Sequence, residues 1–105
     1  MKIIVIGGGA WGTALAINAA RHAPAPQQVW LWVRDPLQGA NLRNARENRR
    51  YLPGVPLPES LQVRDDALAQ LLAQVTARDL VILASPMAGL RGLLGPMRDC
   101  PAALA

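Results

Sequence analysis

Residues 3–12, IIVIGGGAWG, constrain this chain more than any other stretch. An apolar β-branched run ends in Gly7-x-Gly9-x-x-Gly12 and leads directly into TALAINAAR, a good helix former. Strand, glycine turn and helix in that order are the context a dinucleotide fingerprint requires. Gly7 permits a tight turn off the strand. Gly9, having no Cβ, lets a pyrophosphate approach the backbone, and Gly12 lets the helix pack close to the strand. The free N–H groups at the helix start then face the anion, and the helix dipole favours its charge. The competing reading is a glycine-rich turn with no ligand.

The rest of the chain supplies the partners such a unit needs. Residues 2–6 suit a central parallel strand buried on both faces. Residues 12–22 read as the first helix, stopped by APAP at 23–26. Residues 28–33 (QVWLWV) form a second strand, Arg34-Asp35-Pro36 a turn, and residues 37–48 a polar helix. YLPGVPLPES at 51–60 reads as a loop, because its prolines and glycine break regular structure. LQV at 61–63 is a short strand near an edge. Asp65 or Asp66 then caps a helix whose Leu68, Leu71, Leu72 and Val75 recur at i, i+3, i+4 and i+7. LVILA at 80–84 is a fourth strand closed by Ser85-Pro86, and residues 87–98 give a short helix loosened by glycines. The alternation predicts an α/β fold: a Rossmann-type doubly wound parallel sheet, truncated at about four strands in the order 3-2-1-4. Ligand should lie where the winding reverses, at the carboxyl ends of the first and fourth strands, so residues 7–12 and 84–87 converge. The outer edge of the fourth strand is expected to be bare, which would favour self-association.

Composition narrows the function classes. With 105 residues, 51 % of them hydrophobic, the chain can bury one modest core. Arg21, Arg34 and Asp79 interrupt the apolar stretches, so no membrane span is expected, and no signal-peptide pattern opens the chain, which points to the cytoplasm. Cys100 has no partner for a disulfide or a metal site. The net charge of +4 comes almost entirely from arginines, clustered at Arg43, Arg46, Arg49 and Arg50. No aromatic interleaving accompanies them, so a solvated helix face is favoured over a nucleic-acid surface. His22 falls in the last turn of the first helix, where its charge would suit the dipole. Lys2, the single lysine, has no evident use at the start of the first strand.

An NAD site usually places an acid about twenty residues past the glycines, on the ribose hydroxyls. Here that position holds Arg34, followed by Asp35. An arginine can grip the 2′-phosphate of NADP through its planar fork of donors, or lie against the adenine. NADP is therefore expected to be accepted, and NAD to compete if Asp35 turns inward. The alternative is a solvent-facing Arg34 paired with Asp35 or Glu47.

GGGAWGTALA at 7–16, LWVRD at 31–35, R-E-N-x-R-Y-L-P-G-x-x-L-P at 46–58 and LVILASPMAGLR at 80–91 resemble the bacterial NAD(P)-dependent glycerol-3-phosphate dehydrogenases. The resemblance runs through essentially the whole chain, and its specific part is the REN-x-RYLPG block together with Trp11 inside the glycine motif. It implies hydride transfer between NAD(P)H and dihydroxyacetone phosphate to give glycerol 3-phosphate, in the service of phospholipid synthesis in the cytoplasm, by an enzyme that forms a homodimer. It also implies that Gly7, Gly8, Gly9, Ala10, Trp11 and Gly12 hold the pyrophosphate and nicotinamide end, Arg34 the adenosine side, and Tyr51 the length of the coenzyme. Many members carry serine where Ala10 stands, so a hydroxyl contact is lost here and the backbone N–H kept. Core packing is the rival role for Trp11, and anchoring of the proline loop the rival for Tyr51.

The resemblance further implies that residues 1–105 are the N-terminal part of the dinucleotide-binding domain. The remaining strands and a helical substrate domain, which carries the catalytic lysine, lie beyond it. No residue here is a credible general acid for ketone reduction, so no catalytic residue is assigned and the chain alone is expected to be inactive. Asp65, Asp66 and Asp79 read as cap and turn residues. Two rivals share the half-fold: a dehydrogenase of the ketopantoate reductase or 6-phosphogluconate dehydrogenase type, which would lack the REN-x-RYLPG block, and a non-catalytic dinucleotide-sensing module.

Overall fold

Strand β1 (Lys2–Ile6) runs parallel to β2 (Gln28–Trp32), from Lys2 opposite Gln28 to Ile6 opposite Trp32. The computed structural model describes residues 2–22, 28–84 and 103–104. Side chains alternate across the sheet. Ile4, Ile6, Trp30 and Trp32 enter one core, while Val5, Val29, Leu31 and Val33 enter the other. Helix α1 (Ala10–His22) covers the second face with Ala16, Ile17 and Ala20, and α2 (Pro36–Ala45) adds Leu42. Helix α3 (Leu68–Leu72) covers the first face with Leu71 and Leu72, joined by Val75. Apolar burial on both sides explains why β1 and the end of β2 show no polar alternation.

After α2 come β3 (Glu47–Asn48) and β4 (Leu52–Pro56), then β5 (Leu61–Arg64) and β6 (Leu80–Leu83). A final pair of residues forms β7 (Ala103–Leu104). The sheet order is β5-β2-β1-β6-β7. The four anticipated strands therefore stand in the expected order 3-2-1-4, with β5 at one edge. Among the described residues no helix is long and apolar enough to cross a membrane.

Four expectations need correction. The edge of β6 is not bare, because β7 pairs with it in parallel through Leu80–Ala103 and Val81–Leu104. The segment at 51–60 is not wholly loop, because β4 pairs antiparallel with β3 in a separate two-stranded ribbon. Prolines are tolerated there because a ribbon is all edge and needs few of their missing donors. The polar helix stops at Ala45 rather than 48, closed by Arg46 in the left-handed region at φ 53° with its N–H on the Leu42 carbonyl. Neither Asp65 nor Asp66 caps α3: Ala67 stands at that position with no side-chain bond, while the two aspartates pair with Arg43 and Arg64. Ser85-Pro86, the helix expected at 87–98 and Cys100 lie outside the described residues.

Lys2 also has a use. Its ammonium lies 3.1 Å from Asp79 and 5.3 Å from the centre of the Trp30 ring, and its N–H donates to Asp79 at 2.7 Å. Asp79 accepts a further bond from the Thr76 N–H at 2.8 Å, so it is the turn residue anticipated. Burial works to raise its pKa, but these donors outweigh burial and hold the carboxyl below the usual carboxylate range.

Candidate functional site

The N–H of Gly7 donates to the Trp32 carbonyl at 2.9 Å, extending the β1–β2 ladder by one residue. The chain then turns at a Gly7 φ of 130°, which side chains rarely adopt. Helix α1 begins at Ala10, and the Gly9 carbonyl accepts the Thr13 N–H at 3.0 Å. A β-carbon on Gly12 would overlap the Gly7 carbonyl oxygen and stand 3.2 Å from the Ala84 β-carbon. One on Gly9 would meet nothing within 4 Å. The turn is thus closed beneath Gly12 and open beside Gly9. Ala84, whose N–H donates to the Ile6 carbonyl at 2.9 Å, brings the end of the fourth strand to the same place, as expected for that half of the crevice.

Sequence reasoning missed what holds this turn. The Gly8 carbonyl accepts two side-chain donors at 2.8 Å, Gln38 Nε2 from α2 and Asn48 Nδ2 from β3. Asn48 is buried; its Nδ2 also donates to Thr13 Oγ1 at 2.8 Å, and its Oδ1 accepts the Tyr51 N–H at 3.3 Å. One side chain so joins the glycine turn, α1 and the turn that carries Tyr51. The only sequence signal was the place of Asn48 within the REN-x-RYLPG block.

Arg34 follows β2 at the carboxyl edge of the sheet and is exposed. Among the described residues no carboxylate pairs with it. Asp35 instead caps α2, its Oδ1 accepting the Leu37 N–H at 2.9 Å, and Glu47 accepts the Gly54 N–H at 3.0 Å. Trp11, in the first turn of α1, is 68 % exposed, which removes core packing as its role within this chain. Tyr51 is 42 % exposed, with the Arg50 guanidinium 5.1 Å from its ring centre. Ala10 is exposed at the first position of α1.

Several other candidate charges have local partners. Arg43 bonds Asp65 at 2.8 Å, and Arg46 reaches the carbonyls of Pro58 and Leu61. Arg43 and Arg46 are thus held within the fold, while Arg49 and Arg50 are exposed in the turn after β3; only Arg43 lies on a helix, so the cluster is not the solvated helix face expected. Arg64 grips Asp66 through two bonds and lies 4.4 Å from the centre of the Trp30 ring. The hydrogen bond between them raises the Arg64 pKa and lowers that of Asp66. His22 Nδ1 lies 2.8 Å from the Asn18 carbonyl oxygen on an exposed helix end, the surface role anticipated. A groove of about 640 Å³ runs between α2 and the turn after β3, past Asn41, Asn44, Arg49 and Arg50. None of the eight residues expected at the coenzyme lines it, but Gln38 and Asn48 do.

A family model described as NAD-dependent glycerol-3-phosphate dehydrogenase N-terminus matches residues 2–103. The glycerol-3-phosphate dehydrogenase (NAD(P)+) of Paracidovorax citrulli is 52 % identical over 99 residues, covering 94 % of this chain and 28 % of the relative. That of Acidovorax ebreus is 49 % identical over 105 residues, covering all of this chain and 31 % of the relative. The chain thus spans about a third of the length of these curated relatives. Among solved structures, the glycerol-3-phosphate dehydrogenase of Coxiella burnetii superposes with a TM-score of 0.80 at 29 % identity, over 99 % of this chain and 31 % of that one. The Saccharomyces cerevisiae enzyme gives 0.80 at 24 % identity, covering 99 % and 32 %, and speaks for the fold alone. With its glycine turn, its exposed arginine after β2 and its REN-x-RYLPG ribbon, the chain belongs to the NAD-dependent glycerol-3-phosphate dehydrogenase family, and the part of that family it matches is the N-terminus.

Proposed function

We propose that this chain is the coenzyme-binding part of an NAD(P)-dependent glycerol-3-phosphate dehydrogenase. Residues 1–105 form the N-terminal part of the dinucleotide-binding domain, and the remaining strands and a helical substrate domain belong to the rest of the enzyme. When bound, the coenzyme supplies or accepts a hydride in the interconversion of dihydroxyacetone phosphate and glycerol 3-phosphate. This chain binds and orients it. The backbone of Gly7, Gly8, Gly9, Ala10 and Gly12 receives the pyrophosphate, Trp11 lies toward the nicotinamide end, Arg34 takes the adenosine side and Tyr51 flanks the bound molecule. None of these residues donates the proton to the ketone. The substrate is a small phosphorylated polyol held by the rest of the enzyme, which works in the cytoplasm as a homodimer and supplies phospholipid synthesis.

The observation that carries this reading is the notch at Gly9. It is open where a β-carbon would stand, yet it sits in a strand–turn–helix whose Gly8 and Gly12 are tightly packed. A pyrophosphate fits such a cradle through backbone N–H groups and the helix dipole. NADP is accepted at least as well as NAD, because Arg34 is unpaired among the described residues while the Asp35 carboxylate is turned to the Leu37 N–H. Calorimetric titration tests both levels. NADPH should bind at least as tightly as NADH, and the chain alone should not oxidise glycerol 3-phosphate. Heat from neither coenzyme refutes the coenzyme site, whereas a strong NADH preference refutes only the role of Arg34.

A further inference from the structure

We infer that Asn48 is a positioning residue for the coenzyme: together with Gln38 it fixes the Gly8–Gly9 peptide so that its N–H faces the pyrophosphate. The inference rests on the coenzyme reading above and adds a residue to which the glycine motif gives no clue. A peptide group is planar and trans, so its C=O and N–H point in opposite directions. The Gly8 carbonyl is held by Gln38 Nε2 and Asn48 Nδ2, each at 2.8 Å. Its two lone pairs are both used, and both donors come from the side of α2 and β3. The Gly9 N–H is therefore turned away from that side. Among the described residues it donates to none. It emerges beside the position where Gly9 leaves open space.

A flanking glycine makes such a peptide easy to flip, because glycine tolerates both signs of φ. Flipped, the carbonyl oxygen would face the anion and the donor would be lost. Asn48 is suited to prevent this. It is 2 % exposed, so water does not compete for its amide, and its other bonds fix its own orientation. Thr13 Oγ1 accepts a second Nδ2 proton at 2.8 Å, and the Tyr51 N–H fills Oδ1 at 3.3 Å. With its amide so engaged, Asn48 cannot turn without breaking several bonds. The same side chain also sets where the Tyr51 backbone stands relative to the glycine turn, so the pyrophosphate and Tyr51 ends of the site share one anchor.

The test is amide NMR of the chain titrated with NADP+, comparing wild type with Asn48→Asp. The substitution keeps the size and the acceptor for Tyr51 but removes both donors and sets a carboxylate oxygen against the Gly8 carbonyl. In wild type the Gly9 amide proton should move downfield as NADP+ binds. In Asn48→Asp it should be displaced before any ligand is added and fail to respond. Affinity should fall about tenfold, the scale of losing one hydrogen bond to a charged group. The Trp32 indole N–H, bonded to the Asp66 carbonyl at 2.8 Å from the face opposite α2, reports whether the fold survives and should stay put. A bond that merely braced the fold would move that indole and leave no selective mark at Gly9. Unchanged affinity with a normal Gly9 response overturns the role of Asn48 and leaves the coenzyme reading standing. No response of the wild-type glycine turn at millimolar NADP+ overturns the coenzyme reading itself. Should Asn48→Asp not fold, Gln38→Leu withdraws the other donor from Gly8: the same loss supports the inference, and unchanged affinity overturns it.

Discussion

Substituting Gly9 and Gly12 separates binding from folding, because the two glycines face different neighbours. A β-carbon at Gly9 meets nothing within 4 Å, and its φ lies outside the left-handed region. Gly9→Ala should therefore leave the chain as stable as before or raise stability by about 0.4–1 kcal/mol, since alanine narrows the unfolded ensemble. At Gly12 the added carbon overlaps a backbone carbonyl, which cannot swing aside as a side chain would. Overpacking costs about 1–3 kcal/mol, and an unyielding neighbour puts this site at the upper end. At about 4–8 °C for each kcal/mol in a domain of this size, Gly12→Ala should lower the melting temperature by about 12–24 °C. Binding ranks the other way. The larger Gly9→Val fills the notch and denies the pyrophosphate its backbone donors, each such bond to a charged group being worth about 1.5–3 kcal/mol. NADPH affinity should fall on the order of 10- to 100-fold with the fold intact. Circular dichroism melts without coenzyme and calorimetry with NADPH measure the two quantities separately. If Gly9→Ala unfolded the chain, or Gly9→Val kept wild-type affinity, the assignment of an open ligand notch would be wrong.

Arg34→Ala should weaken NADPH by about tenfold, the scale of a charge-assisted contact to a phosphate, and leave NADH little changed; equal losses in calorimetry would reject a 2′-phosphate contact. Asp35→Ala should cost about 1 kcal/mol by removing the cap on the Leu37 N–H, seen as a lower melting temperature, with the NADPH-to-NADH ratio unmoved. Asp79 sets an acid limb. Its folded pKa lies below its unfolded value, so the stability it contributes is full above about pH 4 and is lost as pH falls through the folded pKa. Asp79→Asn should lower stability at neutral pH by about 1–3 kcal/mol and flatten that limb, which melts across a pH series will show.

The parts of the fold written in runs of one residue class could be read from the sequence. Two-sided burial of residues 4–6 and 29–33 and the helical spacing of Leu68, Leu71 and Leu72 follow from local chemistry, although α3 ends at Leu72 and leaves Val75 to the turn beyond it, and APAP at 23–26 lies outside the described residues. Sheet order followed from the handedness of the crossovers. The misreadings came from tertiary partners. Prolines in 51–60 argue for loop, but Glu47 and Asn48 pair with Pro56 and Leu52. Asp65 and Asp66 look like caps, but Arg43 and Arg64 claim their carboxylates. Lys2 seemed idle because Asp79 lies 77 residues away. At the glycine turn, the positive φ of Gly7 and the close packing at Gly12 were legible because steric needs belong to single positions. The grip on the Gly8 carbonyl was not, because its donors come from positions 38 and 48 and only the folded chain brings them together.

Each residue at the start of the REN-x-RYLPG block has its own structural task. Arg46 ends α2 in a left-handed turn and sends its guanidinium to the carbonyls of Pro58 and Leu61, closing both ends of the excursion between α2 and β5. Glu47 bonds the N–H of Gly54, which turns at a φ of 82°, and so fixes the crossing of β3 and β4. Asn48 carries that fixed ribbon to the glycine turn. A generic strand–turn–helix needs none of these bonds to fold, since its own glycines and the sheet behind them define the bend. What the ribbon adds is a second support for one peptide and a defined place for Tyr51 beside it. The excursion is therefore part of the proposed coenzyme site. Shortening it between Arg46 and Pro58 should leave the five-stranded sheet in place and leave the Gly8 carbonyl to Gln38 alone.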